Sequence, residues 1–413
     1  MRDVSTLLDM TTENRRSRHL SLITRHLHLG SAMRRRSLRL PLLVFSFGLL
    51  FLILPPLQRS EEIFLRWLVR DSVSHNVPAP LTIVNIGHPE GTPSPVEFAL
   101  FLQAALEFKP TVIAIEPVLS WSESGKNEEQ ILVDQAIRVA KLLLGTELTA
   151  KPSVNKPVAE ISSFSQVTGS RGHLAKYTGP RRQPDEDLRL ISTPGFVSSE
   201  SFPSNIRVPL LFEYGDEIVP SFALQAALLW MRIAPSEVKI NLGSSISLPN
   251  GSKIPIKTDG TALINPNVAK RARHISLDEL FIAAQQQENR LVVTSHLEDM
   301  RDQIVLAHGA TDSAASTDLL AATIATLQTN SFVRRVSWIF DWAFILTLAA
   351  ASGVARKMSR VDLLLVAAGL SAAYCLVALG VLSQWFTWLP SVLPLGAIWL
   401  VALFCLFASP AKR

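Results

Sequence analysis

Long apolar stretches near the end of the chain constrain its fold more than any other feature. Three run over residues 338–354, 361–383 and 386–408, and a fourth covers residues 40–57. About 20 apolar residues span a bilayer as a helix. The sequence therefore predicts four transmembrane helices, one N-terminal and three in a C-terminal bundle over residues 338–408. A large exported domain, residues 58–337, is predicted between the first helix and the bundle.

Positive charge predicts how these helices are oriented. The 413-residue chain has a formal net charge of +5, and its N-terminal tail, residues 1–39, is rich in arginine. Arginines next to an apolar helix indicate retention in the cytosol rather than nucleic-acid binding. Arg356, Lys357 and Arg360 give the loop after residue 354 the same orientation. We therefore expect a multi-pass inner-membrane protein surrounded by lipid, with both tails (1–39 and 409–413) cytoplasmic and residues 58–337 extracytoplasmic.

The first apolar stretch has two interpretations, an uncleaved anchor or a cleaved signal peptide. Its preceding basic region is long, and the residues at its end, Pro55-Pro56-Leu57-Gln58-Arg59, contain no small-x-small cleavage site. These features favour the anchor.

The two cysteines, Cys375 and Cys405, both lie in predicted membrane helices. The exported domain is therefore predicted to contain no disulfide.

A β-α-β unit opens the predicted exported domain. Residues 81–86 and 111–115 are short β-branched runs typical of buried strands. Between them Ser94 is suited to cap a helix whose first residue is Pro95. The two strands should be parallel with a right-handed crossover. The sequence predicts an α/β domain with a mixed sheet.

The remainder of the domain is less regular. A helix is predicted over residues 128–141, and residues 149–190 are predicted to be a flexible insertion because Pro, Ser, Gly and charged residues dominate there. Further strands are predicted over 206–212 and, around the Asn-Gly turn at 250–251, over 246–249 and 254–256. For the last strand, 291–294 and 303–308 compete, and the first run is the more regular.

Polar residues at the ends of the first two strands are the candidate ligand-binding residues. Glu116 closes the second strand, His88 follows the first, and Asn85 lies within the first. Open α/β sheets bind ligands beyond the carboxyl ends of their strands. The alternative is that these polar residues only meet solvent. Glycine-rich phosphate loops, Gly-x-Ser-x-Gly, His-Glu-x-x-His and cysteine-based metal motifs do not occur, so we predict no catalytic residue, no cofactor and no metal.

Four stretches share an order and spacing with one known family. They are residues 81–118 ending their second strand at an acid; Gly195-Phe196-Val197 with Arg207-Val208-Pro209-Leu210 and Pro220-Ser221-Phe222-Ala223; Ile254-Pro255-Ile256 with Leu263-Ile264-Asn265; and Ile324-Ala325-Thr326-Leu327 before Phe332-Val333-Arg334-Arg335. Together they resemble the CHASE2 family of bacterial extracytoplasmic sensor domains, over residues 57–408 without 149–190. The resemblance implies a non-catalytic sensor domain leading into a membrane bundle.

Several positions depart from the family pattern. The acid is usually Asp and is Glu116 here, while Asn85-Ile86-Gly87-His88 stands in place of an Asp-rich motif. Family members usually carry a cyclase or kinase domain after the bundle, and none follows residue 408. The resemblance therefore implies output in trans, through a membrane partner or a homodimer. Gly353 and Gly369 lie in small-residue stretches suited to close helix approach.

Three functions remain open at this point. The first is a CHASE2-like sensor that binds a small-molecule or envelope ligand and signals in trans. The second is a structural subunit of a membrane complex with a degenerate sensor domain. The third is an envelope enzyme that uses Glu116 with His88. The sequence identifies neither the ligand nor the partner.

Overall fold

A computed structural model of the chain describes residues 46, 55–71, 79–87, 93–121, 125–151, 162–198, 206–289, 300–309, 314–355 and 358–408. The chain divides into two compact units. The first, here the helical unit, comprises Met1–Leu65, Arg335–Val381 and Trp388–Arg413. The second, here the α/β unit, comprises Arg66–Arg334 and Leu382–Thr387.

Helices and strands alternate through most of the described chain. The helices are α1 (Pro55–Asp71), α2 (Pro95–Glu107), α3 (Lys126–Ala136), α4 (Glu186–Leu190), α5 (Phe222–Met231), α6 (Leu277–Glu288), α7 (Ala314–Thr329), α8 (Trp338–Ala355), α9 (Arg360–Trp385) and α10 (Val392–Ala408). The first nine strands are β1 (Leu81–Ile86), β2 (Val112–Ile115), β3 (Leu142–Thr149), β4 (Gln166–Thr168), β5 (Lys176–Tyr177), β6 (Gly179–Arg182), β7 (Thr193–Ser198), β8 (Arg207–Pro209) and β9 (Leu211–Tyr214). The others are β10 (Glu217–Pro220), β11 (Lys239–Asn241), β12 (Ser245–Ser247), β13 (Lys253–Pro255), β14 (Thr261–Leu263), β15 (Arg273–Ser276), β16 (Ile304–Gly309), β17 (Arg334–Arg335) and β18 (Thr387–Trp388).

The α/β unit is built on a seven-stranded mixed sheet, which confirms the mixed α/β part of the predicted fold class, whereas the four predicted transmembrane helices are not shown. Its strands follow the order β15-β1-β16-β2-β3-β6, and β7 pairs with the other side of β3. All pairs are parallel except that of β6 with β3. The predicted β-α-β unit is present as β1, α2 and β2. Its strands are parallel but not adjacent, because β16 lies between them.

Local sequence explains how α2 begins and ends. Ser94 accepts a hydrogen bond from the backbone of Glu97, and the Glu97 carboxylate accepts one from the Ser94 backbone at 2.7 Å. This capping box satisfies two backbone donors that the first turn would leave unpaired. Pro95, at the first helical position, needs no backbone partner. The helix ends before Lys109, whose φ is 52°.

Two apolar cores cover the two faces of the main sheet. Because side chains alternate along a strand, Leu142 and Leu144 of β3 pack with α2, α3 and α6, whereas Leu143 packs with α5 and α7. Central strands of a parallel sheet are buried on both faces, and all four residues of β2 are buried accordingly.

The prediction of a flexible insertion is wrong for residues 162–190. These residues form β4, β5, β6 and α4, and they bury Phe164, Leu174, Tyr177 and Leu188. The few apolar residues of this segment are spaced so that each enters a core, while β6 joins the main sheet. Amino-acid composition is averaged over the whole segment, so it does not reveal that the few apolar residues are placed to enter a core. Residues 152–161 lie outside the described residues.

Two further predictions from the sequence can be compared with the structure. The run 303–308 overlaps β16 (Ile304–Gly309) and is confirmed as a strand, while the favoured run, 291–294, lies outside the described residues. The predicted helix 128–141 ends at Ala136, and Leu142–Thr149 forms β3 instead. Its apolar run has helical spacing with the preceding residues, but hydrogen bonding to β2 and β7 on both sides stabilises the extended form.

The helical unit contains α8, most of α9, and α10. Among the described residues, α9 is the one helix long and apolar enough to cross a membrane. Residues 339–352 and 392–407 are shorter apolar helices. The three helices share a small apolar core that includes Leu363, Ala367, Ile398 and Cys405. The structure describes four residues of the predicted first membrane span (40–57), namely Ser46 and residues 55–57. Residues 55–57 form the start of α1.

Candidate ligand-binding site

Polar residues at the carboxyl ends of β15, β1, β16 and β2 form a row that continues into glycines in the interior of β3 and β7. Parallel pairing places Ser276 beside Asn85, and Asn85 beside His308. In the next strands, Ala307 pairs with Ile115, and Ile115 pairs with Leu144. The residues that follow these three are His308, Glu116 and Gly145, so they too lie side by side. Gly145 in turn pairs with Gly195. We call this set the edge row: Ser276, Asn85, His308, Glu116, Gly145 and Gly195.

The centre of the edge row is a buried acid-histidine pair. His308 Nδ1 lies 3.4 Å from Glu116 Oε2, and the two side chains are only 8% and 12% exposed. The two groups carry opposite charges when His308 is protonated. The contact is not aligned as a hydrogen bond, so Glu116 Oε2 has no hydrogen-bond partner. A buried acceptor left in this way is uncommon in native structures.

Glycines close the row on the β3 side. A Cβ added at Gly145 would lie 2.0 Å from the Glu116 carbonyl oxygen. A Cβ at Gly195 would lie 2.4 Å from Cδ2 of Phe222, the first residue of α5. Neither position has room for a side chain. The backbone of β3 is therefore packed tightly against the Glu116 backbone, and that of β7 against Phe222.

The structure brings together part of the predicted site. Glu116 meets His308, which the sequence places in the less favoured candidate strand. Asn85 lies beside His308 in the row, but its side chain is exposed. His88 lies outside the described residues. The signal that identifies His308 is its position at the end of the apolar run 303–308, which becomes informative once that run is assigned as a parallel strand.

A cavity lies on the opposite face of the same sheet. It has a volume of about 260 Å³ and borders Leu144 and Thr146 of β3, the 183–184 connection, α4 and the start of β7. Gln183 and Arg189 line this cavity, but Gln183 Oε1 and Arg189 Nε are buried away from its surface and have no hydrogen-bond partner. We call this cavity the α4 pocket. Sequence reasoning missed it because its walls come from the segment predicted to be flexible.

Asp185 caps the entry to α4 beside this pocket. Its backbone N–H donates to the Leu119 carbonyl at 3.1 Å, and its Oδ2 is buried without a hydrogen-bond partner. Burial, and secondly the nearby Glu129 carboxylate, raise the pKa of Asp185. A hydrogen bond from the Trp121 backbone and the charge of Arg189 oppose this rise. The pocket thus lies in a locally desolvated, charged environment.

The start of α10 in the helical unit is held by a buried carboxylate. Glu61, 6% exposed, accepts hydrogen bonds from the backbone N–H groups of Ser391, Val392 and Leu393 at 2.9, 2.9 and 3.1 Å. These are donors that a helix N-terminus leaves unpaired. Pro394 lies in the first turn of α10, where a missing backbone N–H breaks no helical hydrogen bond.

Other polar and small residues of the helical unit can also be placed. Asp341 of α8 is 1% exposed and pairs with Arg335, whose Nη2 lies 2.7 Å from Oδ2. A Cβ added at Gly369 of α9 would meet no atom within 4 Å. Gly353 lies in α8, but its surroundings are outside the described side chains.

Within the described ranges, no cluster of three His, Cys, Asp or Glu side chains is arranged to hold a metal ion. Cys375 and Cys405 are free thiols.

Comparison with known proteins found no matching family model, no matching curated protein and no matching solved structure. The edge row and the α4 pocket are therefore interpreted from their own chemistry.

Proposed function

We propose that this protein is a membrane-anchored extracytoplasmic sensor of the CHASE2 type. It would bind a small molecule on its α/β unit and signal in trans through its membrane helices without catalysing a reaction. The observation that carries the proposal is the edge row, in which a buried acceptor, Glu116 Oε2, lacks a hydrogen-bond partner at the carboxyl edge of a parallel sheet. That edge is where open α/β sheets bind ligands.

Membrane anchoring is supported by the length and apolarity of α9 and by the arginine-rich segments of the sequence. The proposed topology has four spans, with residues 58–337 outside and both tails inside. Long exported domains cross the membrane regardless of their own charge. The basic segments at 34–36 and 356–360 therefore determine the orientation in this proposal.

Cysteine labelling tests the topology directly. Cys375 and Cys405 are first replaced by Ala, and a single cysteine is then placed at Ser170 or Met358, both exposed. In intact cells, a membrane-impermeant maleimide should label the cysteine at 170 and not the one at 358. Both should react after permeabilisation, which is the control for folding and access. Labelling at 358 but not at 170 in intact cells would refute the proposed orientation.

Output in trans requires a surface of the membrane bundle that a partner can approach. The open position at Gly369 fits such a surface. Gly369→Leu, with Gly353→Leu, should weaken crosslinking of the full-length protein to a partner or to a second copy. Gly396→Leu on α10, where a Cβ is equally unobstructed, is the matched control. Unchanged crosslinking in the first variant would argue against this route.

The acid-histidine pair also favours a second function, an envelope enzyme. Glu116 and His308 lie at a distance that allows proton exchange after a small adjustment. Both side chains are nearly buried, so a substrate would need the edge to open. A turnover that disappears in Glu116→Gln while ligand affinity is retained would support the enzyme over the sensor.

A further inference from the structure

We infer that an open groove on the exposed face of α10 binds residues 40–54 of this chain, as an antiparallel fourth helix of the helical unit. The inference rests on the proposed membrane anchoring. It states which face of the bundle the first membrane span occupies, and it leaves the face of α9 at Gly369 for a partner. Apart from Ser46, residues 40–54 lie outside the described residues. Two features support the inference, namely the groove itself and the contact that holds α1 beside it.

One face of α10 is packed, and the other is exposed. Val401 and Cys405 are buried in the core that α10 shares with α8 and α9. On the other face, Trp399 is 41%, Leu403 51% and Phe407 86% exposed. Residues spaced by three and four lie on one face of a helix. The exposed residues therefore form one continuous apolar surface along α10.

This surface is recessed. The recess is an open groove of about 400 Å³. Gly396 leaves one end of it open, because a Cβ added there would meet no described atom within 4 Å. Small residues let two membrane helices approach closely, and the side chains of one helix fill the grooves of the next. The groove is therefore shaped to receive another apolar helix. Its lining residues are Gly396, Trp399, Leu400, Leu403, Phe404 and Phe407.

Glu61 of α1 holds the preceding chain close to this groove. Its carboxylate accepts hydrogen bonds from the backbone N–H groups of Ser391, Val392 and Leu393 at 2.9, 2.9 and 3.1 Å. Pro55, the first residue of α1, lies about 9 Å from Glu61 along the helix axis. A tether this short gives residues 40–54 an effective concentration near the groove in about the mM range. The segment therefore competes favourably with a separate partner.

The segment also matches the groove in length, direction and polarity. As a helix, residues 40–54 would be about 22 Å long, and α10 is about 25 Å long. In the proposed topology the segment runs outward and α10 runs inward, so the two are antiparallel. Neither contains a charged residue, so their contact buries no charge in the membrane. Phe45, Phe47 and Phe51 supply large side chains to fill the groove.

The competing occupants are a second copy of the chain and lipid. A two-fold contact between copies places the same surface against itself. Groove would then face groove, and the recess would stay unfilled. Lipid chains can fill the groove, but they lose conformational freedom when a fixed surface orders them. The tethered helix therefore fits better than either.

Disulfide crosslinking of the full-length protein in its native membrane tests this contact. Cys375 and Cys405 are replaced by Ala, one cysteine is placed at Leu403, and a second is moved one residue at a time through residues 42–50. This range lies opposite Leu403 whether or not the chain bends at Pro55. Copper phenanthroline oxidises cysteine pairs whose Cβ atoms come within about 4 Å. We expect intramolecular disulfides at positions three or four residues apart, measured as thiols that react with maleimide only after reduction.

A cysteine at Leu365 of α9 is the matched control for the one at Leu403. Leu365 is 67% exposed, and its neighbours Leu363 and Ala367 belong to the core shared with α10. It therefore lies at a similar level of the bundle but on another helix. Paired with the same positions in residues 42–50, it should form disulfides at least about tenfold less often.

A second pair of variants tests the tether. Glu61→Ala removes the acceptor that holds α1 at the start of α10, so it should lower the yield of disulfides to Leu403→Cys several-fold. Glu62→Ala removes the same charge from the next residue and should leave the yield unchanged. The scan of residues 42–50 is made with Glu61 intact, so it does not depend on the folding of either variant.

Four outcomes overturn the inference. They are the absence of intramolecular disulfides to Leu403→Cys throughout residues 42–50, equal yields with Leu365→Cys, disulfides that join two copies through Leu403→Cys, and an unchanged yield in Glu61→Ala. The first, with correct cysteine labelling at 170 and 358, refutes this docking and leaves the proposed function intact. Reversed labelling, in contrast, refutes the proposed extracytoplasmic sensor itself.

Discussion

The edge row and the α4 pocket lie on opposite faces of one sheet and differ in the space around their polar side chains. In the edge row, Glu116 and His308 face each other, and tight backbone packing at Gly145 and Gly195 leaves little space. In the pocket, Gln183 and Arg189 line a cavity of about 260 Å³. The side chains at the centre of the edge row contact each other, whereas those of the α4 pocket surround an open cavity.

The difference follows from where the side chains originate. Edge-row residues come from neighbouring strands in register, so their spacing is fixed by the sheet and they can pair with each other. Pocket residues come partly from β3 and β7 and partly from the connection between β6 and β7, which passes over the sheet face. A connection that bridges a face encloses space, whereas adjacent strands do not.

The largest expected effect tests the close packing of the edge row. Gly145→Ala places a Cβ within 2.0 Å of the Glu116 carbonyl oxygen, a backbone atom that cannot rotate away. We expect a loss of about 4 kcal/mol in the free energy of unfolding, measured by chemical denaturation of the detergent-solubilised chain. Gly172→Ala, where the nearest atom is 3.8 Å away, is the control. Equal stabilities would mean that the row is loosely packed.

The second prediction tests whether α4 is a rigid wall of the pocket. Leu188 is 3% exposed and Leu190 is 80% exposed, two residues apart on the same short helix. Leu188→Ala should cost about 3 kcal/mol, because it leaves a cavity in the core, and Leu190→Ala less than about 0.5 kcal/mol. The midpoints of urea unfolding would measure both. Near-equal small effects would restore the view of this segment as a flexible insertion.

Sequence reasoning succeeded where short-range pattern and burial agree. The strands β1 and β2, the capping box at Ser94 and the mixed α/β class follow from alternation, run length and cap chemistry. It failed at residues 162–190, where buried residues such as Tyr177 and Leu188 are separated by polar ones and pair with strands distant in sequence. It also failed at His308, because strand order is determined by long-range contacts that no local window contains.

The third prediction concerns the acid-histidine pair. Glu116→Leu and His308→Leu should each cost about 2 kcal/mol, since each leaves the other polar group buried without its neighbour. The double variant should cost less than the sum of the two single ones, because the electrostatic contact between the two side chains is then lost only once. A double-mutant cycle of unfolding free energies provides the measurement. Strict additivity would show that the two side chains do not interact, and the edge row would lose its centre.

The smallest expected effect is a pH dependence beside the α4 pocket. Burial and the charge of Glu129 raise the pKa of Asp185 above its ordinary value of 3.8. A carboxyl with a raised folded-state pKa binds its proton more tightly in the folded than in the unfolded chain. Its ionisation therefore lowers the free energy of unfolding as the pH rises from about 3.8 through the folded-state pKa.

Asp185→Asn removes the cost of ionising this carboxyl in the folded chain. The Tm of the variant should therefore exceed that of the parent at pH 7, and the difference should shrink towards pH 3. The shift should be a few degrees at most, because the group is partly solvated and the effect is screened. Asp216→Asn, in the exposed turn after β9, should follow the pH dependence of the parent. A parent more stable than Asp185→Asn at neutral pH would instead indicate that the ionised carboxylate stabilises the wall of the pocket, and the contrast with the edge row would weaken.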